Sequence, residues 1–418
     1  MHNRESRVLV CGPVLPQNRV NGLRDVLTDL VDGLRQQGWS VDSLLWPHEA
    51  GDVMPTCPAP AGATAWLFRC VAALPIPDAI RLPMRILLYD RASARESSAL
   101  FEAIENRVRS NDYVAVLACL QTAPIGIAAL VTRIHPHAIL LSMPDLAREV
   151  RRRRILQAAR STIRLLTRRR WHPDLYRPVD PRRIFMAVFA STAWREAAVR
   201  AGVPRHVTRV IHFGVGCPSS LPATKPPAKP ARLLWAGRLS PLKGLHLYLP
   251  AVAVLSRDLP VHLTVVAGEG DEAYRAQLHR MIRRLRLEDV VAFREPVDRD
   301  DLPGLLSEHD ALLFFSTNQE PVAQVLFHAF ASGLVVVGPE SSDPRSALRP
   351  DRTAFCFSEP RPRAIASVIN TALTDLAARE RIRRVAFEFV RAEHSLDGTG
   401  ARYDLLLRAH TAAAAGVQ

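Results

Sequence analysis

Two positive side chains stand five residues apart in WAGRLSPLKG, residues 235–244: Arg238 and Lys243. An apolar run, Arg232 to Ala236, leads into them and a helical pattern, Leu245 to Leu255, follows, so they fall in a strand-to-helix turn that Gly237 lets run tightly. A guanidinium fork, an ammonium point charge and the open N–H groups of a helix start favour a phosphate or diphosphate; a solvated basic loop is the plainer reading. A carboxylate, Glu320, stands ahead of a second helix pattern, Val325 to Ala331, after the apolar run Ala311 to Phe315. There it would accept hydrogen bonds from ligand hydroxyls, or serve only as an electrostatic helix cap.

These turns make sense only if strands and helices alternate. After residue 231 the pattern gives strands at Arg232–Ala236, Val261–Ala267, Val290–Phe293, Ala311–Phe315 and Val335–Gly338, with helices at Leu245–Leu255, Ala273–Leu285, Leu302–Ser307 and Val325–Ala331. Such an order predicts a doubly wound parallel sheet, whose ligands bind outside the carboxyl ends of the strands. The first half opens in the same way: strand Arg7–Cys11, a helix with Leu23, Val26, Leu27, Leu30, Val31 and Leu34 on one face, then strand Ser40–Trp46. Further strands are expected at Tyr113–Leu120, Ala138–Ser142 and Phe185–Ala190, while about 47–110 has no assignable strands. His135 and His137 precede a strand and so belong to the wrong sheet edge for chemistry; they read as satisfied surface histidines.

The stretch Cys217 to Ala231, CPSSLPATKPPAKPA, carries five prolines and two lysines and reads as an extended linker that resists packing. The expected organisation is therefore an α/β chain of two Rossmann-like lobes facing across a cleft. A Rossmann-like domain spans 1–215, the linker 216–231, a second Rossmann-like domain 232–385, and a helical segment 386–418 that caps the lobes or crosses between them.

At 418 residues the chain is too long for one ordinary domain, and 48% hydrophobic with 23% charged residues excludes a disordered or collagenous chain. The longest charge-free stretch, Tyr113 to Thr132, is broken by Gln121, Thr122, Pro124 and Gly126 and reads as strand, turn and helix rather than a membrane span. The six cysteines form no C-x-x-C pair, so neither a disulfide framework nor a cysteine zinc cluster is indicated. No signal-peptide pattern opens the chain, and a cytoplasmic protein is expected. The net charge of +14 asks for an anionic partner.

The three segments at 235–244, 265–272 and 316–333, in that order and spacing, resemble the donor-binding lobe of family 4 glycosyltransferases of the GT-B fold. The resemblance extends from Arg232 to about Tyr403, including HSLDGTGARY at 394–403, and upstream over Ser191 to Val215. It implies a retaining transferase that moves a sugar from a nucleotide-diphosphate sugar to a hydroxyl acceptor, with no protein nucleophile, no metal and no other cofactor. Arg238 and Lys243 would grip the donor's diphosphate, Glu320 would hold hydroxyls of the transferred sugar, and Gln324 and Val325 would offer backbone amides. Gly22, Gly237, Arg294, Val322, Ala323 and His328 complete the implied nucleotide-sugar set. Asp145 is the candidate to orient the acceptor hydroxyl, with helix N-capping as its other reading.

Several positions depart from that family. His328 stands where a second Glu commonly bonds the nucleotide ribose, and a neutral imidazole lacks a carboxylate's two-oxygen grip. Pro321, Ala323, Val335 and Glu295 also replace common residues, which motivates a rival reading as a nucleotide-sugar binder without turnover. From Arg148 to Arg170 ten arginines face one acid, Glu149, with Ile155, Ala159, Ile163 and Leu166 at helical spacing. Contact with an anionic bilayer at the inner membrane face is expected of such a helix, and with it a lipid-linked or membrane-near acceptor. A membrane or nucleic-acid adaptor is the other rival, though no aromatic interleaving or recognition-helix pattern supports nucleic acid.

Overall fold

The computed structural model describes residues 7–14, 22–47, 91–120, 126–142, 145–151, 172, 174, 177–223, 226–268, 270–316, 324–340 and 347–415. They form two compact units, one of residues 1–16, 30–212 and 400–418, the other of residues 17–29 and 213–399. Each is built on a six-stranded parallel sheet.

Up to residue 212 the order is β1 (Arg7–Val14), α1 (Gly22–Gln36, whose residues 22–29 group with the second unit), β2 (Ser40–Pro47), α2 (Arg91–Arg109), β3 (Ala115–Cys119), α3 (Ile127–Ile134), β4 (Ala138–Ser142), α4 (Asp145–Arg151), β5 (Met186–Phe189), α5 (Thr192–Arg200) and β6 (Thr208–Val210). The strands lie as β2-β1-β3-β4-β5-β6. Val8–Cys11 and Ala115–Cys119 are buried at every position, the consequence of covering both faces of a parallel sheet. The expected strand and helix after Tyr113 appear as β3 and α3, and among the described residues no helix is long and apolar enough to cross a membrane.

His135 is satisfied as expected: its Nε2 lies 3.0 Å from the Tyr113 carbonyl and its Nδ1 accepts the His137 N–H at 3.1 Å. A second polar knot is more deeply set. Asp174, with 1% of its side chain exposed, accepts from Arg177 at 2.6 Å and Arg133 at 2.8 Å, while His172 Nε2 meets Glu105 at 3.1 Å. Burial alone would raise the Asp174 carboxyl; the Arg177 and Arg133 hydrogen bonds outweigh it and hold it below the ordinary range. A depressed carboxylate stabilises above its unfolded pKa, about 4, and that stability fades as pH falls through the folded value. Asp174→Asn should therefore cost about 2 kcal/mol at pH 7, the scale of a charged hydrogen bond, with the gap closing toward pH 3. Urea denaturation at the two pH values checks this, and an equal gap at both would contradict it.

The second unit runs β7 (Ala231–Arg238), α6 (Leu245–Leu255), β8 (Val261–Gly268), α7 (Glu272–Leu285), β9 (Val291–Arg294), α8 (Leu302–Ser307), β10 (Ala311–Leu313), α9 (Gln324–Ala331), β11 (Val335–Pro339), β12 (Phe355–Phe357), α10 (Pro362–Thr374) and α11 (Leu376–Glu393). Its sheet order is β12-β11-β10-β7-β8-β9. Along β7, Leu233 and Trp235 enter the core on one face and Leu234 the core on the other. The Tyr248 hydroxyl of α6 reaches the Phe314 carbonyl at 2.7 Å and the Val337 carbonyl at 3.1 Å, which ties the helix to β10 and β11.

One expectation needs correction. The proline-rich stretch does not resist packing: Pro222 and Ser219 carbonyls accept from Arg383 and Arg391 of α11 at 2.9 and 3.1 Å, and the Ala228 N–H donates to Asp310 at 3.2 Å. Proline lacks a donor yet keeps its carbonyl, and the arginines of α11 use those acceptors. The C-terminal residues are helical as expected: α11 belongs to the second unit, and α12 (Leu396–Ala415) begins there and belongs to the first from Gly400 onward, in line with the crossing alternative. There Asp404 accepts the Trp39 indole N–H at 2.8 Å.

Candidate active site

In the second unit the chain leaves β7 toward β8 and β9, then returns to lay β10 against the other side of β7. The loops after β7 and β10 thus flank the point where the strand order reverses, the place where open parallel sheets bind ligands. Arg238 ends β7, exposed, and the half-buried Lys243 closes a 3₁₀ turn, Pro241–Lys243.

That turn is held from several sides. The Trp235 indole donates to the Lys243 carbonyl at 3.2 Å, and Ser240 Oγ caps the turn by accepting from Leu242 N–H at 3.4 Å. Gly244 follows in the left-handed region, φ 65°, and any β-carbon there would lie 2.6 Å from Cγ of Phe315. So the turn after β7 rests on the ring at the end of the β10 path, and only glycine fits between them. From the loop after β8, Gly270 packs directly on Leu239, and the Asp271 N–H donates to the Leu239 carbonyl at 3.0 Å. Asp271 then caps α7, accepting from the N–H groups of Ala273 and Tyr274.

The N-terminal turn of α6 starts at Gly244, which has no side chain to cap it, so its amides face the Arg238–Lys243 turn without a capping carboxylate or hydroxyl of their own chain segment. Among the described residues the His246 N–H takes a side-chain partner, the Tyr274 hydroxyl, at 3.2 Å. Burial lowers the His246 pKa and raises that of Tyr274, so both are neutral near pH 7.

Across the reversal point, Gln324 begins α9, with Val325 beside it and His328 one turn on, all three half-buried. The Gln324 side-chain nitrogen is buried without a hydrogen-bond partner among the described residues. Glu320, Val322 and Ala323, with Pro321, lie outside the described residues. Arg294 ends β9, two strands from β7; it pairs with Glu308 at 3.2 Å and lines a cavity with Glu295, Pro296, Val297, Asp298 and Asp301. Gly22 is the first residue of α1, in the stretch 17–29 that groups with the second unit, and Asp145 is the first residue of α4 in the first unit, the Asp145 side chain falling outside the described residues. Residues 152–171 of the arginine run are outside them as well. The structure therefore brings Arg238, Lys243 and the start of α9 to one edge of one sheet. Sequence reasoning did not find Phe315, Gly270 or the His246–Tyr274 pair as parts of that edge; the GEG run at 268–270 was the one visible signal for Gly270.

Among the described residues no group of three or more His, Cys, Asp or Glu is set to hold a metal ion. Burial pushes the Cys11 thiol up to about 12 and Cys217 to about 11, so neither is a nucleophile at neutral pH.

Residues 220–389 match the family described as glycosyl transferases group 1. The chain is 32% identical over 193 residues to the D-inositol 3-phosphate glycosyltransferase of Streptomyces avermitilis, which covers 42% of this chain and 41% of that protein. It is 30% identical over 168 residues to the glycogen synthase of Mycobacterium tuberculosis, 39% of each chain. It thus spans about two-fifths of the length of these curated relatives. Among solved structures, HepE from Anabaena in complex with UDP-glucose is similar with a TM-score of 0.63 at 18% identity, over 96% of this chain and 99% of that one. Sucrose-phosphate synthase from Thermosynechococcus elongatus gives 0.63 and 18%, over 97% and 100%. At such identities the likeness is one of fold: two parallel α/β sheets in the GT-B plan.

Proposed function

We propose that this protein is a glycosyltransferase of the family 4 type that transfers a sugar, with retained anomeric configuration, from a nucleotide-diphosphate sugar to a hydroxyl acceptor. The observation that carries the reading is the Lys243–Gly244 turn seated on Phe315, which brings the cationic loop after β7 to the path leading from β10 to α9. Arg238 and Lys243 hold the diphosphate and offset the charge that grows on it as the bond from the anomeric carbon to the phosphate oxygen breaks. Backbone N–H groups of Gln324 and Val325 add donors at the start of α9. Glu320 accepts hydrogen bonds from the sugar's hydroxyls. The acceptor oxygen bonds the anomeric carbon on the face the diphosphate leaves, and its proton passes to the departing phosphate oxygen. Asp145 orients that acceptor hydroxyl, and no protein nucleophile takes part. The basic run Arg148–Arg170 and the charge of +14 support an acceptor at an anionic membrane surface.

The direct test is a panel of nucleotide sugars incubated with the purified protein, read as release of nucleoside diphosphate. Release from one donor, increased by a hydroxyl acceptor, is expected; binding of a donor with no release from any would favour the reading without turnover. A narrower expectation concerns the ribose. His328→Glu should tighten nucleotide binding about fivefold, since a carboxylate can accept from both ribose hydroxyls and hydrogen bonds to charged groups are the stronger ones. Calorimetry with unchanged affinity would remove His328 from the ribose.

A further inference from the structure

Tyr274 belongs to the buried apolar core of the second unit, yet its hydroxyl is aimed at one place, the second residue of α6. It accepts the His246 backbone N–H at 3.2 Å and lies 2.9 Å from Nδ1 of the same residue. The phenolic oxygen accepts from the backbone, and with His246 protonated on Nε2 its own proton goes to Nδ1. A side chain of α7 thereby performs for α6 the task that a serine or aspartate at the N-cap ordinarily performs, at a helix whose own N-cap is Gly244. A residue with a capping side chain is barred from that position, since Gly244 needs a positive φ and touches Phe315. The same α7 is fixed at its start to Leu239 through Asp271. The Arg238–Lys243 turn is in this way clasped at both ends by the segment 270–274.

We infer that Tyr274 and His246 are positioning residues for the donor's diphosphate, holding the first turn of α6 and the adjoining Lys243 at the height the phosphates require. This rests on the function proposed above, and it assigns work to a pair 28 residues apart in sequence.

The test is the dissociation constant of whichever of UDP, GDP and ADP binds the parent protein most tightly, measured by calorimetry for four variants. Tyr274→Phe and His246→Leu should each weaken binding about fivefold, the scale of a lost helix cap. His246→Asn, whose Oδ1 can take the place of Nδ1 as acceptor, should stay within about twofold of the parent. Lys243→Ala serves as the reference for the diphosphate site itself, and circular dichroism melts confirm that each variant is folded. His246 is half-exposed, so its variants keep the question open to test if Tyr274→Phe does not fold. Binding by Tyr274→Phe and His246→Leu at the parent's strength, with Lys243→Ala weakened, overturns the positioning role alone. Equal loss in His246→Asn and His246→Leu also overturns it, because packing rather than the hydrogen bond would then be responsible. A Lys243→Ala variant that binds as the parent does overturns the diphosphate reading, and the positioning role falls with it.

Discussion

Lys243→Ala should lower the rate of sugar transfer by about a hundredfold to a thousandfold, the cost of removing one preorganised group that faces developing charge. The backbone around it explains why the loss would be so concentrated. Its carbonyl is fixed by the Trp235 indole and its neighbour Gly244 is seated on Phe315, so the ammonium is carried on a turn that cannot drift to compensate. Arg238→Ala should be of the same order, and the double variant should lose less than the product of the two, because in the proposed mechanism both groups serve one leaving diphosphate. Turnover with saturating donor separates this from weaker binding: the rate constant itself must fall, since the charge being met exists fully only as the bond breaks. A variant whose rate constant is unchanged while donor affinity alone declines would reduce Lys243 to a ground-state contact.

The second large effect is expected at a residue with no side chain. Gly270 lies so close to the Leu239 backbone that a β-carbon would overlap its carbonyl oxygen and come 2.8 Å from its Cα. Backbone cannot step aside as a flexible side chain can, so Gly270→Ala must push Leu239 and the Arg238–Lys243 turn away from the loop after β8. Overpacking of this kind costs about 1–3 kcal/mol of stability. Nucleotide affinity should fall by at least about tenfold, or 1.4 kcal/mol, as the two cations leave their places. Melting curves with and without nucleotide check both parts. A variant that melts and binds like the parent would mean that Leu239 is free to move and that the turn's position is not critical.

The sheets were readable because they are buried on both faces. β11 appears in the chain as an unbroken apolar run and β7 and β8 as largely apolar ones, broken by Arg232 and by His262 and Thr264, and their boundaries fall within a few residues of the expected ones. The path after β10 was less legible: the apolar run continues to Phe315, but pairing ends at Leu313, and Phe315 serves instead as the floor under Gly244. Composition misled at residues 217–231, where five prolines signal missing donors but say nothing of the acceptors that Arg383 and Arg391 find. The charged residues of the candidate site, Arg238 and Lys243, stand out because few reasons exist to place them at a strand end. The Tyr274–His246 contact leaves no such mark, since a tyrosine and a histidine on separate helices match no spacing rule.

A crystal structure with a nucleotide-diphosphate sugar bound is the most direct test of whether Arg238, Lys243 and Glu320 serve one ligand. The diphosphate oxygens should lie within hydrogen-bonding distance of the Arg238 guanidinium and Lys243 Nζ, beside the first turn of α9, with the sugar's hydroxyls on Glu320. A donor bound elsewhere on the protein, or one that leaves any of those three side chains facing solvent away from it, would contradict the account.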